Sequence, residues 1–255
     1  MTAFLSVASK AAGFVAIMEL VFVAFYGRHD VYGPMMWVLA AATMTVGNLI
    51  ALRQTNIVRL FAYSSVAQAG FILAPLAVVG KSPDVSADAI RAIVAYLIIY
   101  TAMNLGAFAV ILAVSRKTRS GEISSWGGLF DYAPGLATSM AVFVFALAGI
   151  PPLGGWFAKF GVFKAVIGAG GPSAIVLAVV VAVNSVIALF YYANIARVMF
   201  FEPSPDGDTT PIKVPAAISV SIAVTVAATV AFGVLPGTIG HFGKAATDLA
   251  TALGH

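Results

Sequence analysis

Lys10, Glu19, Lys159 and Lys164 stand inside stretches apolar enough to cross a bilayer. An ionisable group at that depth costs about 2.5 to 3.5 kcal/mol on insertion scales, so it implies a partner, a cavity or a function. Lysines and carboxylates in such places can load, hold and release protons, which is the chemistry of an ion path. Lys159 is the sharpest case. It ends the run Ala148-Gly149-Ile150-Pro151-Pro152-Leu153-Gly154-Gly155-Trp156-Phe157-Ala158-Lys159, and from Thr138 to Ile167 only Lys164 joins it as an ionisable group. A continuous helix does not place Pro-Pro and Gly-Gly at its middle, because proline removes a backbone donor and clashes with the preceding turn. In lipid an interrupted helix survives only where protein or a water-filled cavity satisfies the freed backbone groups. Burial disfavours the charged form of an amine and a neighbouring charge can tip the balance, so a lysine beside such a break is a candidate for proton exchange. The plainer reading is a structural lysine that bonds the carbonyls freed at the break.

Lys10 lies about a third of the way into the first apolar run, among Ser6, Ala8, Ser9, Ala11, Ala12 and Gly13. Small neighbours allow close helix approach. Its long stem would also let it snorkel to the surface. Glu19 follows nine residues later, which at about 100° per residue puts it on the opposite face of the same helix. It is read as an ion-pair partner for another helix or as part of a relay. Lys164 is close to the end of its span and is expected to snorkel. Gln68, Asn48, Asn104 and Asn184 add amides, and Tyr96, Tyr100, Tyr191 and Tyr192 add hydroxyls. Interhelical hydrogen bonds account for most of these, and together with water they would also line a hydrated path.

The elements that must hold these groups are membrane spans. The chain has 255 residues, 61% hydrophobic and 9% charged, with a mean hydropathy of +0.99. Soluble domains carry roughly 25% charged residues, so the composition is that of an integral membrane protein. At about 20 apolar residues per crossing, an all-α fold with seven spans is expected at 3–26, 34–52, 60–80, 88–114, 137–167, 173–201 and 214–235, forming one transmembrane domain over 1–255. The fifth is the discontinuous one. A tail from Gly237 to Leu253 interleaves apolar residues with His241, Lys244 and Asp248 and is expected at the interface.

Loop charges give an expected orientation. Arg53 and Arg59 follow the second span, and Arg116, Lys117 and Arg119 follow the fourth; the alternate loops mix Arg28, Lys81 and Arg91 with acids. The positive-inside rule then puts the N-terminus in the cytoplasm and the C-terminus outside, with the chain in the cell's inner (plasma) membrane. No cleavable leader is expected, because the N-terminus lacks a basic region and Ala3 to Tyr26 is long enough to span.

Several functions are excluded by residue type. There is no cysteine, so thiolate metal sites and cysteine-held clusters are ruled out. The three histidines, His29, His241 and His255, lie outside the deep apolar runs. No basic stripe suggests nucleic-acid binding. No nucleophile elbow, phosphate-cradling glycine loop or close pair of intramembrane carboxylates marks an enzyme site. A retinal protein would carry a lysine in the last span, and Ala216 to Leu235 has none.

With these residues in view, the chain resembles the antiporter-like membrane subunits of respiratory complex I, and among them the subunit N type of bacterial NADH–quinone oxidoreductase. Thr2-Ala3-Phe4-Leu5-Ser6-Val7-Ala8-Ser9-Lys10-Ala11-Ala12 is similar to the family's lysine-bearing eighth helix. Gln54-Thr55-Asn56-Ile57-Val58-Arg59-Leu60-Phe61-Ala62-Tyr63-Ser64-Ser65-Val66-Ala67-Gln68-Ala69-Gly70 is similar to the following loop and tenth helix. Ala148 to Lys159 is similar to the broken twelfth helix, and Tyr191-Tyr192 through Phe200-Phe201-Glu202-Pro203 also fits.

The resemblance implies a fold of roughly fourteen helices with two inverted repeats and a broken helix in each, a general transporter device. This chain corresponds to its second half, so the first seven helices are expected to be missing. Lys10 would be the connecting lysine between two half-channels, and Lys159 the terminal lysine exchanging protons with the outer side. Where many relatives have lysine and histidine, this chain has Val58 and Gln68, so any path past Gln68 would rely on water. Quinone reduction elsewhere in the complex would alternately favour and disfavour the protonated lysines. No cofactor is expected in this chain; NAD, FMN, iron–sulfur clusters and quinone would belong to partner subunits. The expected partners are other membrane-arm subunits and the lipid bilayer, with a separate polypeptide for the N-terminal half if the chain is one part of a split subunit rather than a fragment or a degenerate copy. A cation/proton antiporter or membrane-bound hydrogenase subunit, or a non-pumping scaffold, are the alternatives.

Overall fold

The computed structural model describes residues 2–25, 27–205, 207–235, 237–239, 243 and 245–248. His241, Lys244 and His255 lie outside the described residues. Among the described residues the regular elements are helices, with no strand, and the chain is an all-α integral membrane protein. Helices are the economical solution here, because an apolar solvent forces each span to satisfy its own backbone groups.

The helices are α1 (Thr2–Glu19), α2 (His29–Ala51), α3 (Ile57–Leu73), α4 (Pro83–Thr118), α5 (Leu129–Tyr132), α6 (Pro134–Ala148), α7 (Gly154–Gly168), α8 (Gly171–Phe201) and α9 (Ala216–Val234). A π-turn, Leu20–Ala24, extends α1, and a tight turn of 3₁₀ type, Ala74–Ala77, extends α3. Among the described residues, six stretches are long and apolar enough to cross a membrane: Val7–Ala24, His29–Ala51, Ile57–Ala77, Pro83–Thr118, Gly171–Phe201 and Ala216–Val234. The region expected as one interrupted span is two separate helices, α6 and α7, of 15 residues each.

Several helices run past the apolar windows because their ends are set by caps. α3 starts at Asn56, whose side chain accepts the backbone N–H groups of Val58 and Arg59 at 3.1 and 3.2 Å. α4 starts with Ser82 accepting from Val85 and with Pro83 at its first position, and it places Asp84 in the first turn and Arg116 and Lys117 in the last. Serine caps the free amides, proline has no amide to lose there, and the charges complement the helix dipole. At 36 residues, α4 is about 54 Å long, well beyond a bilayer core of about 30 Å.

α4 is the central element, packed against α1, α3, α6, α7 and α9, while α2 and α8 close over α3 and α6 from the other side. At the Arg119 end of α4 the connecting loops are fastened together. Ile57 donates to Gly121 O at 2.7 Å and Ile123 to Thr55 O at 2.8 Å. Lys117 donates to the carbonyls of Thr210 (2.6 Å) and Asp208 (3.2 Å) and lies over the Tyr132 ring. The Asp208 carboxyl is held below its usual range, first by the Thr210 amide that donates to it and then by the Thr210 hydroxyl and Lys117.

Candidate functional site

The break between α6 and α7 positions Lys159. α6 ends where Gly149 turns left-handed, at φ 93° and ψ 39°, with its amide shared between Phe145 O and Ala146 O. Glycine takes this conformation without the steric penalty of a side chain. Pro151 and Pro152 then prevent the helix from resuming until Gly154. The lack of a side chain at Gly149 matters a second time, since a Cβ there would stand 2.8 Å from Lys159 Cδ. The lysine stem therefore crosses the break over Gly149, and Nζ donates to Ala148 O at 2.9 Å.

This puts the ammonium at the carbonyl end of α6, where the helix dipole favours a cation. The face of the Phe71 ring lies 4.6 Å from Nζ and adds a cation–π contact. Lys159 is 6% exposed, which makes it the one charged residue in the buried set of the described residues. The plainer reading of this lysine, a donor to carbonyls freed at the break, is thus seen directly. The same bond can be made by a neutral amine, so it leaves the group able to give up a proton.

Lys10 is held on the other side of α3. Its Nζ donates to the carbonyl and the hydroxyl of Ser65, both at 2.5 Å, and to Tyr100 OH at 3.3 Å. Tyr100 OH in turn donates to Ser65 Oγ at 3.0 Å. The side chain points inward, half-buried, and does not snorkel away from its neighbours.

Between the two lysines, α3 and α4 are joined by a second polar contact about one turn away, later along α3 and earlier along α4. Tyr96 OH donates to Gln68 Oε1. The Gln68 amide donates to Leu147 O at 3.2 Å, next to the carbonyl that Lys159 holds, and reaches Tyr192 OH at 3.5 Å. Tyr192 OH also shares a hydrogen bond with Ser64 Oγ. Ser64 and Gln68 are four residues apart on α3, and Tyr96 and Tyr100 are four apart on α4, so each pair shares a helix face. Tyr96, Tyr100, Tyr192 and Gln68 are at most 1% exposed. The result is two buried hydrogen-bonded sets on neighbouring turns of α3 and α4, Lys10–Ser65–Tyr100 and Tyr96–Gln68–Tyr192–Ser64, a stepped ladder with Lys10 in its first set and Lys159 on the carbonyl next to the one that Gln68 holds.

A side branch leads from Tyr191 to Asn48 (3.0 Å), Asn184 and Thr45, tying α8 to α2. Glu19 is not part of the ladder. It ends α1 on the exposed face, and among the described residues it has no ion pair. Lys164 is exposed at the other end of α7 and pairs with Asp88 at 3.4 Å. Ser64 and Ser65 were not marked by sequence reasoning. Their only signal is position, at Gln68's own face and beside it on α3. No group of three or more histidine, aspartate or glutamate side chains among the described residues could hold a metal ion.

Residues 1–188 match the family described as NADH:quinone oxidoreductase/Mrp antiporter, TM. NADH-quinone oxidoreductase subunit N of Trichlorobacter lovleyi is 38% identical over 251 residues, covering 98% of this chain and 49% of that protein. The chain thus spans about half the length of the curated relatives it matches. In a structure of respiratory complex I from Thermus thermophilus with bound aureothin, one chain superposes with a TM-score of 0.67 at 28% identity, over 81% of this chain and 44% of that one. A chain of the Mrp complex from Dietzia sp. DQ12-45-1b superposes with a TM-score of 0.80 over 94% of this chain and 52% of that one; at 22% identity this is a likeness of fold.

Proposed function

Since the chain belongs to the NADH:quinone oxidoreductase/Mrp antiporter transmembrane family, we propose that it is a proton-translocating component of the membrane arm of an NADH–quinone oxidoreductase. The observation that carries this reading is the buried ladder between Lys10 and Lys159, with Lys159 seated at a helix break. Intramembrane ionisable residues at discontinuous helices are the usual hardware of ion movement.

Each part of the ladder has a role that follows from its chemistry. Lys159 is the terminal carrier: its proton is held against the α6 carbonyl end, and a positive charge arriving nearby would favour its release toward the outer side. Lys10 is the connecting carrier, stabilised by the Ser65 oxygens and able to reload from the preceding part of the path. Ser65, Tyr100, Tyr96 and Tyr192 supply hydroxyls that both donate and accept, as a proton hop requires. Gln68 neither gains nor loses a proton near neutrality. It orients the Tyr96 and Tyr192 hydroxyls, and water completes the passage beside it. Glu19 lies off this line and is assigned at most to an outer contact of the path.

No redox step belongs to these residues. Quinone reduction, with NAD, FMN and iron–sulfur clusters, is assigned to partner subunits of the complex. The other membrane-arm subunits are the proposed partners. The proposed location is the inner (plasma) membrane, with the N-terminus cytoplasmic and the C-terminus external, as the loop charges suggest.

Gln68→Leu tests the ladder. Leucine keeps the volume and removes the hydrogen bonds to Tyr96, Leu147 O and Tyr192, so proton movement by the assembled complex should fall by about tenfold or more, as expected when a group that positions a proton transfer is lost. Helix content and the recovery of partner subunits should not change. Unaltered proton movement in Gln68→Leu would remove the ladder from the mechanism. Transport that requires sodium and is indifferent to NADH would place the chain with the cation/proton antiporters instead, whose fold it shares.

A further inference from the structure

Away from the ladder, α4 and α7 leave a lateral cleft of about 370 Å³. Its walls are apolar: Ala92 and Ala95 from α4 face Phe157, Phe160 and Gly161 from α7. Trp156 and Phe160 stack at 5.7 Å between centroids and are both about half exposed, which extends the apolar wall outward. At one end stand Arg91 and Lys164, with Asp88 between them. Ile239 closes this end, and the stem of Arg91 packs on Gly243, where a Cβ would lie only 3.2 Å from Arg91 Cγ.

We propose that this cleft is a binding site for an anionic phospholipid, with an acyl chain between α4 and α7 and the phosphate between Arg91 and Lys164. Charge complementarity selects the headgroup. Asp88 meets Arg91 at 3.5 Å and Lys164 at 3.4 Å, so one carboxylate is shared by two cations and a unit of positive charge is left over. Arginine has five donors and lysine three, and each spends one on Asp88, so donors remain for phosphate oxygens. Arg91 and Lys164 are 50% and 66% exposed, so both are accessible at the surface. The apolar walls select a lipid over a free anion, because an acyl chain removes from contact with water or headgroups a surface that inorganic phosphate would leave open.

The test is native mass spectrometry of the full chain, purified with whatever co-purifies, delipidated and then offered phosphatidylglycerol and phosphatidylcholine in equal amounts. Wild type should retain phosphatidylglycerol preferentially. Each basic group near an anionic lipid is worth about fivefold, so Arg91→Gln with Lys164→Gln should reduce the preference by about tenfold or more. Arg91→Lys with Lys164→Arg should keep it, which shows that folding is intact. Asp88→Asn should keep or strengthen it, because it removes the competing carboxylate. Equal retention of the two lipids by wild type, or an undiminished preference in the double glutamine variant, would overturn the proposal. Displacement of bound phosphatidylglycerol by inorganic phosphate would also overturn it, in favour of a simple anion site. The wild-type preference and its resistance to phosphate decide the matter even if the double glutamine variant does not fold.

Discussion

Lys159→Met is expected to leave the chain folded and inserted while removing proton movement. Methionine fills nearly the same volume without a charge, and volume-conserving changes in a core usually cost less than about 1.5 kcal/mol. Replacing a buried charge by a well-packed apolar group is often neutral or stabilising. Against this, Ala148 O loses its donor, so the thermal midpoint should stay close to that of wild type. Function should respond very differently, because a positioned proton carrier contributes on the order of 100-fold or more to the step it serves. In liposomes containing the assembled complex, the NADH-driven pH change should vanish in Lys159→Met. Lys213→Gln, an exposed change in a loop away from the ladder, should leave it intact. Equal proton movement in wild type and Lys159→Met, with the partners still bound, would leave Lys159 with only its structural bond.

Gly155→Ala is expected to have the largest effect on stability. The second glycine after the break lies against the end of α6, and a Cβ there would stand 1.7 Å from Ala146 O and 2.6 Å from Ala146 C. Both are backbone atoms and cannot rotate aside, so α7 would have to move away from α6 as a unit. Overpacking of this kind costs typically 1 to 3 kcal/mol and occasionally more, and here about 4 kcal/mol is the expected scale. The shift would also take Lys159 off Ala148 O, so proton movement should be lost together with stability. Gly168→Ala is the matched control, since its Cβ meets nothing within 4 Å and alanine favours a helix. Thermal unfolding in detergent, followed by circular dichroism, separates the two. A midpoint for Gly155→Ala equal to that of Gly168→Ala would mean that α6 and α7 do not pack as described.

Local chemistry made part of this legible from residues alone. Pro151, Pro152, Gly154 and Gly155 can hardly be read as a continuous helix, so the interruption and the lysine behind it stand out without any structure. The opposite faces of Lys10 and Glu19 follow from helical geometry, and the structure has Lys10 inward and Glu19 outward. The partner of Lys10 could not be read this way. Ser65 is 55 residues away, and helical periodicity says which face a residue occupies but not which other helix meets that face. The same limit applied to the four tyrosines. Their hydroxyls were visible as polar groups in apolar runs, yet the meeting of Tyr96, Tyr100 and Tyr192 with α3, and of Tyr191 with Asn48 on α2, depends on how α2, α3, α4 and α8 cross. The role of Gly149 as a saddle for the Lys159 stem was hidden as well, because it arises only when the chain folds back across the break. The π-turn after Glu19 has no sequence signal that apolar patterning could detect.

The proposed role of this chain is to carry protons within an NADH-oxidising membrane complex. The most direct measurement is to extract the tagged wild-type chain in mild detergent, reconstitute it with everything that co-purifies, and follow a pH-sensitive dye inside the liposomes after adding NADH and quinone. The account predicts that the preparation contains the other membrane-arm subunits and acidifies or alkalinises the lumen only while NADH is being oxidised. A chain recovered alone, or a complex that oxidises NADH at full rate without any pH change, would contradict it.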